Sequence, residues 1–129
     1  VSEIEESTQL LRTAAAAADE KLGTDLVALD VSATLYITDA FLIISAENER
    51  QISAIVDAVE KALQKAHGRT PLRREGRGGG DWVLLDFGDI VVHVFSAEQR
   101  EYYALERLWK DCPVIDLDLP ASTATDDRR

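Results

Sequence analysis

The sequence predicts an α/β fold: a single domain with one mixed β-sheet flanked by α-helices. Three observations carry that prediction. Stretches with apolar residues at helical spacing alternate along the chain with short runs rich in branched apolar residues. The stretch from Trp82 to Phe95 has the alternation and the turn of a β-hairpin. A length of 129 residues with 46% hydrophobic positions suffices for one domain with its own core and is short for two.

Residues 8 to 22, TQLLRTAAAAADEKL, set Leu10, Leu11, Ala14, Ala15, Ala18 and Leu22 on one helical stripe, and Gly23 follows where a helix end favours a left-handed residue. Alanine is the best helix former, and its small stripe lets a neighbouring element approach closely, so the alanine run reads as packing rather than low complexity. Asp25 to Val31 and Ala40 to Ala46 are short branched runs suited to strands buried on both faces. In NERQISAIVDAVEKALQKAHG, Ile52, Ile55, Val56, Val59 and Leu63 share a stripe, Asn48 is placed as N-cap with Gln51 three residues later, and Gly68 stands just past the end. A short edge-like strand near Leu72 and a basic, glycine-rich loop come next, before the hairpin. After the hairpin, AEQREYYALERLWKD reads as a helix and CPVIDLDL as a last short strand. Residues 1 to 7 are expected to be an N-terminal extension, 8 to 117 the domain, and 118 to 129 a mobile tail, since from Pro120 on nothing apolar exceeds alanine.

The hairpin is the informative element. Gly88-Asp89 fits a two-residue turn of type II′, which pairs Phe87 with Ile90, Leu85 with Val92 and Val83 with Val94 on one wholly apolar face. The other face pairs Asp86 with Val91, Leu84 with His93 and Trp82 with Phe95. Such a mixed face is either covered by helices, with His93 and Asp86 hydrogen-bonded internally, or offered in part to a partner. In the helix that follows, Tyr102, Ala104, Leu105, Leu108 and Trp109 fall on one arc, while Tyr103 lies opposite among Gln99, Glu106, Arg107 and Lys110. Exposed Trp and Tyr are the residue types of interface hot spots, so Trp82 and Tyr103 form a candidate pair.

Composition narrows the function classes. Fourteen Lys and Arg against 24 Asp and Glu give a net charge of −10, which repels a phosphate backbone, so direct nucleic-acid binding is not expected. Acidity favours solubility on its own and also encounter with a basic protein. The one cysteine, Cys112, excludes an intrachain disulfide. No apolar run is long enough for a membrane span, and VSEIEESTQL has the wrong charge and hydropathy for a signal or transit peptide, so a cytoplasmic protein without membrane association is expected.

Catalytic constellations are largely missing. GRGGG lacks the Gly-Lys-Ser/Thr ending of a phosphate-binding loop, and His67 and His93 with one cysteine offer no metal-ligand spacing, so neither cofactor nor metal is expected. Ser45, His93 and Asp86 make a hydrolase only on paper, because Ser45 has no Gly-x-Ser-x-Gly context. Asp39 could hold a metal ion for nucleotidyl transfer if further acids adjoined it, which is the enzymatic alternative.

DWVLLDFGDIVVHVFSAEQREYYALERLW resembles the signature of the ribosomal silencing factor family (RsfS, or Iojap-like), and ALDVSATLYITDAFLIISAENERQISAI resembles its upstream half. The similarity spans about residues 8 to 117, with Trp82, Asp86, Gly88, His93, Arg100, Tyr103, Leu105, Glu106 and Trp109 at the family's spacing. It implies a nucleotidyltransferase-like fold and a non-catalytic factor that binds the large ribosomal subunit at its fourteenth protein, a basic protein. Bound there, such a factor blocks joining of the small subunit and represses translation when nutrients are short. Trp82 and Tyr103 match the family's contact Trp and Tyr, and Leu84, Asp86, His93, Phe95 and Arg100 are expected on the same surface. SAENERQ and GRGGG depart from the family's usual loops. The alanine stripe and the mixed hairpin face suggest a homodimer when the protein is free.

Overall fold

A computed structural model describes residues 3–33, 35, 38–77, 81–98 and 111–119. The elements in chain order are α1 (Glu3–Glu20), β1 (Thr24–Asp30), β2 (Ala40–Ala46), α2 (Glu49–His67), β3 (Arg73–Arg77), β4 (Trp82–Asp86), β5 (Ile90–Ser96) and β6 (Val114–Ile115). Helix α1 starts earlier than its apolar stripe suggests. It begins at Glu3, within the stretch expected to be an N-terminal extension. The alanines do pack: Ala14, Ala15 and Ala18 are fully buried beside Leu10 and Leu11.

The end of α1 departs from the sequence expectation. Leu22, not Gly23, takes the left-handed conformation, with φ 66°, and its side chain is exposed. Gly23 is required for space instead. A Cβ there would stand 2.9 Å from Ile44 Cγ2 and 3.1 Å from the Ala18 carbonyl oxygen. In α2 both expected caps are present: the Asn48 side chain accepts from the Gln51 backbone N–H at 2.9 Å, and Gly68 is left-handed at φ 68°. Gln51 does not return the bond to Asn48 as a reciprocal cap would. Its amide oxygen accepts from the Glu47 backbone N–H, and its NH₂ donates to the carbonyls of Lys21 and Leu22, so it ties the start of α2 to the end of α1.

The six described strands form one sheet in the order β3-β4-β5-β2-β1-β6, in which, among the described residues, only the central β2–β5 junction is parallel. The hairpin register is the expected one, with Leu85 opposite Val92 and Val83 opposite Val94. At its turn the Phe87 N–H donates to the Ile90 carbonyl, and Gly88 has φ 96°. Leu85, Phe87, Ile90, Val92 and Val94 join Leu42, Ile44 and the apolar faces of both helices in one core. Both described helices therefore cover the same side of the sheet. At the far edge, Leu72 is exposed before β3, a charged strand, Arg-Arg-Glu-Gly-Arg, of the kind that discourages edge-to-edge pairing. The helix expected after the hairpin and the tail from residue 120 lie outside the described residues, although Ala97 and Glu98 are helical.

Candidate partner-binding face

The side of the sheet away from α1 and α2 carries Trp82, Leu84, Asp86, His93 and Phe95 of the residues singled out from sequence. Cross-strand register sets Trp82 beside Phe95, Leu84 beside His93 and Asp86 beside Val91. The parallel junction brings Ile43 next to His93 and Phe41 next to Val91. Leu29, Val31, Ile43 and Phe95 form a second, smaller core there, and Val27, Leu35, Phe41, Trp82 and Cys112 pack against it.

Within it the aromatic rings are ordered in layers. Trp82 is partly buried and stacks on fully buried Phe95, with centroids 4.8 Å apart and planes 21° from parallel. His93, only 5% exposed, lies nearly parallel to Phe95 at 6.0 Å and meets Phe41 edge-on at 5.0 Å. Trp82 Nε1 donates to His93 Nδ1 over a long 3.4 Å, while His93 Nε2 is buried without a hydrogen-bond partner among the described residues. Burial pushes the imidazole pKa down to about 4, because the cation would lose its hydration. The ring is neutral at pH 7.

Asp86 stands at the hairpin's turn end and is engaged there. One carboxylate oxygen accepts from the Gly88 N–H at 2.8 Å, and the other pairs with Arg73 at 3.2 Å. The structure thus brings together Trp82, Leu84, His93 and Phe95, with Asp86 at their margin. Arg100 and Tyr103 lie outside the described residues. Phe41 belongs to the cluster but was read from sequence only as part of a buried strand; its alternation with Ile43 was the available signal.

Asp39 sits before β2 with its carboxylate accepting from the Ser7 hydroxyl at 2.8 Å. The neighbouring Asp89 directs its carboxylate to Arg69 and gives its carbonyl to the Asp39 N–H and the Thr38 hydroxyl. Among the described residues no three His, Cys, Asp or Glu side chains gather as a metal site would require. No described helix is long and apolar enough to cross a membrane.

The family described as ribosomal silencing factor during starvation matches residues 4–129 of this chain. Ribosomal silencing factor RsfS of Bacillus subtilis is 40% identical over 109 residues, which cover 84% of this chain and 92% of that protein. The protein of Mus musculus called mitochondrial assembly of ribosomal large subunit protein 1 is 33% identical over 87 residues, 66% of this chain and 38% of that one. A crystallised protein from Chromobacterium violaceum superposes with a TM-score of 0.75 at 30% identity, covering 89% of this chain and 94% of its own.

Proposed function

The chain belongs to the ribosomal silencing factor family, and from that premise we propose that it binds the large ribosomal subunit at that subunit's fourteenth protein and blocks joining of the small subunit. It would thereby repress translation when nutrients are short. The mode of action is steric occupation. A large-subunit partner is in keeping with the name of the mouse relative, which concerns assembly of that subunit. A net charge of −10 favours encounter with a basic ribosomal protein.

The observation that carries the site is Trp82: an indole still partly accessible at the start of β4, backed by the ring of Phe95. A rigid, supported aromatic is the residue type that anchors interfaces. Leu84 adjoins it, and Tyr103 and Arg100 complete the proposed surface. His93 and Phe95 lie beneath, so they act through Trp82, and Asp86 holds the hairpin end. An enzyme built on Asp39 would need acidic partners, and the Asp39 carboxylate is held by Ser7.

Truncating an anchor typically costs about 2 kcal/mol or more of binding, roughly a thirtyfold loss. Trp82→Ala and Tyr103→Ala should weaken co-sedimentation with large subunits by that order while the protein stays folded. Leu85→Ala, fully buried on the helix-covered face, should instead cost about 2 to 5 kcal/mol of stability. The folded protein should also reduce the yield of joined ribosomes from purified subunits. Joining that proceeds undisturbed at saturating protein would rule out the blocking mechanism.

A further inference from the structure

The indole N–H is a donor only, so the Nδ1 atom that receives it from Trp82 must be unprotonated, which leaves the proton of the neutral imidazole on Nε2. That N–H is buried with no partner among the described residues. An unpaired buried donor is destabilising. Packing alone therefore does not account for a histidine at this position.

Orientation of Trp82 does. The stack on Phe95 limits the plane of the indole but not which edge faces His93, because χ2 of Trp is roughly two-fold and a flip about Cβ–Cγ returns the ring to the same plane with Nε1 on the other side. The hydrogen bond to Nδ1 selects one direction. His93 is itself fixed, with Phe41 edge-on against it and Phe95 nearly parallel. We infer that His93 is a positioning residue, whose Nδ1 holds the Trp82 indole in the one orientation over Phe95 in which Trp82 meets its partner. The inference rests on Trp82 being a contact residue, as proposed above.

The test uses the 129-residue chain with His93→Phe, which keeps a ring and removes the acceptor, and His93→Asn, whose amide oxygen stands as many bonds from the backbone as Nδ1. The indole N–H resonance of Trp82 is assigned by its loss in Trp82→Ala. In His93→Phe at pH 7 it should shift upfield and exchange faster with water. Affinity for purified large subunits should fall roughly two- to tenfold, as expected when one large side chain must be ordered on binding. His93→Asn should restore the resonance and part of the affinity. If Trp82→Ala loses affinity while His93→Phe keeps it, or if the indole resonance is unmoved in His93→Phe, the positioning role is wrong and the contact reading stands. If Trp82→Ala binds like the unsubstituted chain, the contact reading fails and takes the inference with it.

Discussion

His93 places an ionisable ring where its charge is not tolerated, and the consequence is a pH dependence of known sign. Its pKa in the folded protein is about 4, below the ordinary 6.5 of the unfolded chain. As pH falls through 6.5 the unfolded state takes up a proton that the folded state refuses, so stability declines until about pH 4 and this contribution then levels off. The full effect is roughly 3 kcal/mol. His93→Phe should lose less stability between pH 6.5 and 4 than the unsubstituted chain does, as measured by denaturant unfolding at several pH values. Carboxylates titrate in the same window, so the difference between the two proteins is the quantity to read. Equal pH slopes would mean that His93 is not the group responsible. Gly23 supports a second prediction at this scale. With Ile44 and a backbone carbonyl at the distances a Cβ would meet, Gly23→Ala should cost about 1 to 3 kcal/mol through overpacking, seen as a lower melting temperature.

Helix α2 and the β4–β5 hairpin were legible in the sequence because their signals are local. An N-cap, an apolar stripe and a left-handed glycine lie within one segment, and a two-residue turn fixes the pairing of everything flanking it. The grouping of Trp82, Leu84, His93 and Phe95 on one face followed from that turn alone. What was not legible depends on distant contacts. Phe41 reaches His93 only because β2 lies parallel to β5, a pairing between residues some fifty positions apart that no local pattern encodes. The partnership of Arg73 with Asp86 likewise required the β3–β4 register. The role of Gln51 was misread because the cap it could have closed competes with two carbonyls at the end of α1. Those two readings of the capping segment separate experimentally. Asn48→Ala should cost about 1 kcal/mol, the usual loss of an N-cap. Gln51→Ala should cost a similar amount and should in addition speed amide exchange around Lys21 and Leu22, outside its own helix. Unchanged exchange there would show that Gln51 serves α2 alone.

For the molecule as a whole, charge has two opposed consequences that salt can separate. Three arginines near β3 are paired within the fold, Arg69 with Asp89, Arg73 with Glu75 and Asp86, and Arg74 with Glu60. The net charge of −10 already counts them, so the excess over these pairs is negative. Two copies of such a chain repel each other, and added salt screens that repulsion. Attraction to a basic ribosomal protein is screened by the same ions. If the free protein is a homodimer, raising salt should tighten the dimer while it slows association with the large subunit, leaving dissociation from the subunit little changed. Sedimentation velocity at micromolar protein across a salt series reads the first effect, and stopped-flow association with purified large subunits reads the second. A species of 14.2 kDa at every salt concentration would remove the dimer. An association rate indifferent to salt would mean that charge does not guide the encounter, and would leave recognition to the apolar and aromatic surface around Trp82.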